Sequence, residues 1–374
     1  MRRARDARSP AGLAGTAAGS AADSRSSMGA LAVARSIGGL AYRAAGLALL
    51  FAAAMLWRLS DHVIRFRTVS LEARRADDPS LDPVALGLGF EEITFEARER
   101  RDPGSGGTLT LRGWFFPGAA PGAPAVIAVH GMGDNRVGVL PEVVMLVRAG
   151  YAVFAFDLRY HGRSGGRFCT WGYFERHDVS AAIDELARRG KIDADRVGVI
   201  GGSLGAAIAI QAATVEPRIR AVVADSAYAD FRALLLVHGA RRYPAFRLLP
   251  ARAREALADA VLAVAGLRAG FDPRDVAPLK AIRRVGVPTL VLHCADDAEI
   301  DAADARHLFE ASPAEAKELH VLVDCGHTKG HEAYRDAYEA LVLDFLGRHL
   351  GRPDPPTGAA PAAPAAPASR PSRG

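Results

Sequence analysis

The fold is decided by Arg196-Val197-Gly198-Val199-Ile200-Gly201-Gly202-Ser203-Leu204-Gly205-Ala206-Ala207, a stretch near the middle of the 374-residue chain. An apolar run rich in β-branched residues leads into Gly-x-Ser-x-Gly, and an alanine-rich helical run follows at once. This order predicts a strand, a tight turn and a helix, the context that holds a nucleophilic serine exposed. We therefore predict that Ser203 is a catalytic nucleophile; the alternative is a plain glycine-rich turn between a strand and a helix.

The composition suits a packed α/β protein, with 49% hydrophobic and 7% aromatic residues. The formal net charge is +5, and much of the arginine excess lies near the N-terminus, without the basic and aromatic stripe of a nucleic-acid binder. Three cysteines are too few for a disulfide framework, and none has the spacing of a zinc site. We therefore expect no cofactor, no metal and no nucleic-acid partner.

The first 88 residues divide by composition. Residues 1–35 are rich in Arg, Ala, Ser and Gly, which predicts disorder, or untranslated sequence if translation starts at Met28. Residues 36–58 form an apolar run of bilayer length if Arg43 extends to the interface, which predicts a single-pass transmembrane anchor. Residues 59–88 are then a linker.

Other interpretations of the apolar run stay open. They are a signal sequence cleaved near the small residues 52–54, a helix on the membrane surface, or a packing helix of a soluble protein. Arginines occur on both sides of the run, so the positive-inside rule leaves the orientation undecided.

After the linker, the pattern predicts an α/β fold. Period-two alternation over 90–95 and 109–115 indicates an antiparallel hairpin at a sheet edge. Apolar runs then alternate with helical stretches, which indicates a mostly parallel sheet covered on both faces. The apolar runs are 125–129, 151–156, 197–200, 221–224, 289–292 and 319–323, and the helical stretches are 140–148, 174–188, 204–214, 302–310 and 334–349.

Two segments depart from this alternation. Residues 228–287 are much longer than a strand-to-helix connection needs and contain amphipathic helical stretches, which predicts a small helical lid. An ordinary long connection is the alternative. Residues 351–374 are rich in Pro and Ala and are predicted to be a disordered tail.

A serine nucleophile needs a histidine base and an acid that orients it, and in this kind of fold their order along the chain is serine, acid, histidine. His327 lies in the turn Asp324-Cys325-Gly326-His327-Thr328, directly after the apolar run 319–323. His331 and His320 are poorer candidates, because the first begins a helix and the second begins the strand. We predict His327 as the base.

The acid and the oxyanion donors should come from the same edge of the sheet. Asp296 and Asp297 both follow the run 289–292, and Asp225 follows the preceding strand as a third candidate. The loop after Val129 supplies amides with little side-chain bulk, so we choose the backbone amides of Met132 and Leu204 as oxyanion donors.

These motifs form a recognisable series: His130-Gly131, Asp157-x-Arg159-x-His161-Gly162-x-Ser164, Gly201-x-Ser203-x-Gly205, His293-x-x-x-Asp297 and Gly326-His327. Over residues 89–350 the series resembles the α/β-hydrolase superfamily. It most resembles bacterial membrane-anchored serine hydrolases of the prolyl-oligopeptidase-like, or dienelactone-hydrolase-like, branch.

The resemblance implies an eight-stranded sheet whose second strand is antiparallel. It also implies Ser203, Asp297 and His327 as a catalytic triad. The sequence departs from the family pattern at Cys294, where glycine is usual, and at 299–301, where a valine-proline pair is common.

The function expected from the resemblance is hydrolysis of a carboxylic ester through an acyl-enzyme, with a small ester or acyl compound as substrate. A serine peptidase on short peptides, a thioesterase or an acyltransferase would use the same residues. A non-catalytic binding protein is a further alternative, although such proteins usually lose a triad member.

Two local expectations remain. We interpret the loop 157–164 as structural, with Arg159 paired to Asp157. The family sheet makes the strands before Cys294 and Cys325 neighbours, which would bring the two residues within disulfide range. We nevertheless expect two separate buried thiols, with the disulfide as the alternative.

Overall fold

The computed structural model describes residues 17–98 and 107–353, with backbone alone for residues 17–38. The chain divides into two compact units between Arg58 and Leu59. Residues 1–16 and 354–374, which include part of the N-terminus and most of the tail that we predict to be disordered, lie outside the described residues.

The first unit contains most of helix α1 (Ala17–Ile64). Residues 17–35 are therefore helical rather than disordered, since alanine favours helix strongly. The segment Gly39–Ile64 is long and apolar enough to cross a membrane, with a mean hydropathy of 1.6 and no buried side chain in its most apolar window. A signal sequence has the same length and composition.

The second unit is organised around a sheet of eight strands in the order β1-β2-β4-β3-β5-β6-β7-β8. Strand β2 is antiparallel to both β1 and β4, and the other neighbours are parallel. The eight-stranded sheet with an antiparallel second strand is confirmed. The strands are β1 Glu91–Arg98, β2 Thr108–Phe116, β3 Ala125–Val129, β4 Ala152–Asp157, β5 Val197–Gly202, β6 Ile219–Asp225, β7 Thr289–Cys294 and β8 Lys317–Leu322.

Helices cover both faces of this sheet. Val126 and Ala128 of β3 belong to a core cluster with Leu146 and Phe345, which come from helices on one face. The intervening Ile127 is equally buried and points to the opposite face. The helices are α2 Leu71–Asp77, α3 Leu140–Arg148, α4 Glu175–Arg188, α5 Leu204–Ala212, α6 Phe231–Arg242, α7 Ala251–Ala269, α8 Pro278–Ile282, α9 Ala302–Ala311, α10 Gly330–Ala333 and α11 Arg335–Leu350.

The insertion 228–287 is mostly helical. It contains α6, α7 and α8, together with two short 3₁₀ helices, Pro244–Leu248 and Pro273–Asp275. Pro244 and Pro250 lie at the breaks between helices, where their missing N–H and fixed φ cost least.

The segment that we predict to be a linker, 59–88, belongs to the second unit, and hydrogen bonds fix its first residues there. Arg268 donates to Ser60 Oγ (2.5 Å) and to Asp61 Oδ1 (2.7 Å), and Trp171 Nε1 donates to the carbonyl of Val63 (2.8 Å). The last turn of α1 therefore belongs structurally to the sheet unit. Sequence composition could not reveal this, because the partners lie more than a hundred residues away.

Candidate active site

Ser203 occupies the turn between β5 and α5, with φ 55° and ψ −117°. A positive φ is strained for a residue with a side chain, so the surroundings must impose it. The two flanking glycines make the turn possible. A Cβ at Gly205 would lie 2.1 Å from the carbonyl oxygen of Val129, and one at Gly201 would lie 2.4 Å from the carbonyl carbon of Gly205.

His327 and Asp297 are hydrogen-bonded, with 2.7 Å between His327 Nδ1 and Asp297 Oδ2. The other oxygen, Asp297 Oδ1, accepts from the amides of Glu299 (2.7 Å) and Ile300 (3.0 Å). Burial opposes ionisation of Asp297, but the hydrogen bonds from His327 and these amides outweigh it and lower the pKa of Asp297. The carboxylate is thus charged and points at the imidazole.

The two other candidate acids have different partners. Asp296 is exposed, and its Oδ1 accepts from the amide of Cys325 (3.1 Å), which lowers the pKa of Asp296. Asp225 accepts from Ser226 Oγ (2.9 Å) and Tyr338 Oη (3.0 Å), and burial raises the pKa of Asp225. Among the three carboxylates, the one that contacts the Nδ1 of His327 is therefore Asp297.

The alternative bases also lie elsewhere. His331 faces Glu339 (3.1 Å), and His320 faces Glu318 (3.4 Å). Neither lines the cavity that holds Ser203 and His327.

A cavity of about 330 Å³ brings the predicted residues together. Its lining includes Ser203, His327, Met132 and Leu204, so the predicted nucleophile, the predicted base and both residues chosen for the oxyanion amides share one space. The helical insertion contributes Tyr228, Leu234 and His238 to the wall. Within residues 17–98 and 107–353 no three His, Cys, Asp or Glu residues are grouped as a metal site would require.

Two buried histidines hold the loop that carries Met132. The amide of Leu158 donates to His130 Nε2 (3.0 Å), and the amide of Gly133 donates to His161 Nε2 (3.2 Å). Because each Nε2 accepts, each proton must lie on Nδ1, which faces a carbonyl oxygen at 2.8 or 2.9 Å. Burial lowers the pKa of His130 and of His161 to about 4, so both rings are neutral at pH 7.

The sequence motifs contain both histidines, but sequence reasoning assigned neither of them a role. Their spacing from each other gives no sign that one ring contacts the loop of the other. The structure places the two ring centroids 5.0 Å apart.

The loop 157–164 is held by different ion pairs from the one that we predict. Arg159 pairs with Asp178, at 2.8 Å from Nε to Oδ2, and Asp157 accepts from the amides of Arg136 (2.9 Å) and Arg163 (2.8 Å). The predicted Arg159–Asp157 pair is wrong. Asp178 lies on α4 and is buried beside Arg159, a contact between separate elements that local sequence cannot show.

Cys294 and Cys325 form a disulfide, with 5.8 Å between their Cα atoms. Our expectation of two separate thiols is therefore wrong. Strands β7 and β8 are parallel neighbours, so the residues at and just beyond their ends lie side by side. The bond connects the loop of Asp297 to the loop of His327, and the third cysteine, Cys169, is buried and free.

The family model of the Alpha/beta hydrolase family matches residues 126–342, more than half of the chain. The chain belongs to the alpha/beta hydrolase family. The uncharacterized protein YqkD of Bacillus subtilis is 28% identical to this hydrolase over 225 residues, which are 59% of this chain and 70% of that protein. The YfhR protein of Salmonella typhi is 27% identical and covers 68% of this chain and 81% of its own.

Among solved structures, the Pyrococcus furiosus esterase Pf2001 superposes on this hydrolase with a TM-score of 0.56 and 24% identity. The match covers 72% of this chain and 96% of the esterase. At this identity the likeness shows the fold alone.

Proposed function

We propose that this alpha/beta hydrolase is a serine hydrolase that cleaves a small carboxylic ester through an acyl-enzyme. The observation that carries the proposal is the 2.7 Å hydrogen bond between His327 and the charged Asp297, with His327 and Ser203 lining one cavity. The fold that this hydrolase shares with the esterase Pf2001 is consistent with the proposal.

In the proposed mechanism, Ser203 Oγ attacks the ester carbonyl while His327 Nε2 takes the hydroxyl proton. Asp297 holds the proton on Nδ1 and stabilises the imidazolium as it forms. The amides of Met132 and Leu204 donate to the oxyanion, and the start of α5 adds the positive end of the helix dipole. His327 then gives its proton to the leaving alcohol, and water attacks the acyl-Ser203 by the same route in reverse.

The nucleophile is tested on the full-length protein in detergent. A fluorophosphonate probe should label Ser203, and Ser203→Ala should remove labelling and ester hydrolysis with unchanged thermal stability. Equal labelling of wild type and Ser203→Ala would refute the proposed role of Ser203.

The reaction type is tested with nitrophenyl esters of increasing chain length, alongside amino-acid nitroanilides and acyl-CoA. Esters should be preferred. Faster cleavage of the anilides would replace the esterase with a peptidase, and faster turnover of acyl-CoA would replace it with a thioesterase.

We also propose that the part of α1 before Leu59, residues 36–58, anchors the protein in a membrane and that the sheet unit lies outside the cytoplasm. The length and hydropathy of this segment support an anchor. The disulfide supports the oxidising side, since such bonds are rare in the cytosol. Full-length protein should remain in membranes after carbonate washing, and protease added to intact spheroplasts should digest the sheet unit. Release by carbonate would refute the anchor, and protection from protease would refute the orientation.

A further inference from the structure

The cavity that holds Ser203 is lined by carboxylates without a guanidinium or ammonium group in the lining. Four acidic residues line it, and its basic residues are two histidines. The four acidic residues are Asp134, Glu142, Asp225 and Glu299.

Two of these carboxylates are neutralised by arginines outside the lining. Asp134 pairs with Arg74 at 3.3 Å, and Glu299 pairs with Arg241 at 3.1 Å. They therefore contribute little net charge to the cavity.

Glu142 and Asp225 lack such a partner. Asp225 accepts from two neutral hydroxyls, and Oε2 of Glu142 is buried and accepts no hydrogen bond from the part of the chain that the structure describes. Burial, with a further contribution from Asp225, raises the pKa of Glu142 to about 8. A carboxyl oxygen without a protein partner, in a cavity that also holds Ser203, is available to a hydrogen-bond donor on the ligand.

The remaining wall of the cavity also suits a cation. Trp171, Tyr228 and Tyr338 line the same space, and aromatic faces attract ammonium groups. The lining thus combines two carboxyl groups that have no arginine or lysine partner among the described residues with aromatic rings around Ser203.

We propose that Glu142 and Asp225 form a subsite for a protonated amine on the substrate, so that the enzyme prefers esters with a cationic acyl group. This inference rests on the proposed esterase function and adds a substrate class to it. With a pKa of about 8, Glu142 is mostly protonated at pH 7 while the cavity holds no cation. An incoming ammonium would favour the ionised form of Glu142 and pair with it, whereas a neutral or anionic acyl group would gain no such ion pair.

The test uses esters matched in shape. The cationic substrates are 4-nitrophenyl 3- and 4-(aminomethyl)benzoate and 4-nitrophenyl 4-(2-aminoethyl)benzoate, and the neutral counterparts carry a methyl group in place of the ammonium. Full-length wild type in detergent should have a kcat/KM about tenfold or more higher for at least one cationic ester than for its counterpart. Glu142→Gln should lower that ratio by about tenfold. Glu315→Gln, which removes the same charge from an exposed site outside the cavity lining, should keep the wild-type ratio.

The outcomes separate the two proposals. If the neutral esters are hydrolysed but no cationic ester is favoured in wild type, the amine subsite is wrong and the esterase stands. An unchanged ratio in folded Glu142→Gln would likewise overturn the role of Glu142. If Glu142→Gln does not fold, two measurements on wild type decide: the ratios of kcat/KM for the matched esters, and the protection of Ser203 from a neutral fluorophosphonate. The subsite predicts better protection by benzylammonium than by benzyl alcohol, and equal protection would overturn it. Absence of both hydrolysis and labelling would refute the esterase itself.

Discussion

Replacing Asp297 by asparagine should place the proton of His327 on the wrong nitrogen. Oδ1 of Asp297 accepts from two backbone amides, those of Glu299 and Ile300. The asparagine oxygen must stay there, because its NH₂ group cannot accept from them. The NH₂ group then faces Nδ1 of His327 at about the present 2.7 Å and can donate only if that nitrogen has lost its proton. The proton moves to Nε2, the atom that accepts from Ser203 in the proposed mechanism.

The size of the effect follows from this tautomer change. The equivalent change of tautomer in a serine protease lowers kcat by about 10⁴, which at about 1.36 kcal/mol per decade is about 5.4 kcal/mol of transition-state stabilisation. We expect Asp297→Asn to lower kcat by about 10² to 10⁴, with a modest change in KM, because the missing interaction acts in the transition state.

The assay is steady-state hydrolysis of the preferred nitrophenyl ester by variants with matched melting temperatures. Asp296→Asn is the control, since its Oδ1 accepts from the amide of Cys325 rather than facing His327, and an asparagine oxygen can accept in the same way. Its kcat should stay within about tenfold of wild type. A severe loss in Asp296→Asn with a mild one in Asp297→Asn would refute the reasoning. Mild effects in both would make Asp225 the next acid to test.

Three further outcomes are expected. Alkylation in denaturant without reductant should find one free thiol, Cys169, among the three cysteines, and three free thiols would exclude the disulfide. Imidazole ¹⁵N NMR at pH 5.5 should show two neutral rings protonated on Nδ1, His130 and His161. Folding lowers the pKa of both histidines to about 4, so the unfolded state binds more protons than the folded state between about pH 4 and 6.5. The free energy of unfolding therefore falls as pH falls through that window. Positively charged imidazolium rings at His130 and His161 at pH 5.5 would contradict this. Gly205→Ala should yield insoluble or unfolded protein, because its Cβ would meet backbone at 2.1 Å, and a stable, active variant would show that the turn relaxes.

The sheet could be predicted because its signals are local. Continuous apolar runs gave the parallel strands, and alternation gave the hairpin β1–β2, since the side-chain period of a strand is visible within a few residues. The position of Ser203 was predictable for the same reason: strand, glycine, serine, glycine and helix are consecutive. The order of the strands came from the resemblance rather than from any periodicity.

The pairings at the candidate site were not predictable, because their partners are distant in sequence. Arg159 has Asp157 two residues away, yet it pairs with Asp178 on α4. Likewise, the position of Asp61 just after the apolar run predicts a linker residue. Its side chain instead pairs with Arg268 at the end of α7. A soluble form cut at Leu71 would lose this contact and that of Trp171 with Val63, so a cut before Leu59 preserves more of the unit.

The departure from the family pattern at Cys294 has a structural compensation. Glycine at this position would leave the loop of Asp297 free to vary relative to the loop of His327. Here a covalent bond joins the two loops at Cys325, and Asp296 adds a second connection by accepting from the amide of that same residue. The adjacent carboxylates therefore have different partners. Asp297 contacts the imidazole of His327, and Asp296 accepts from the backbone amide of Cys325, two residues before His327. Because both connections act on the distance between the loops, reducing the disulfide should loosen the His327–Asp297 geometry while the sheet stays intact.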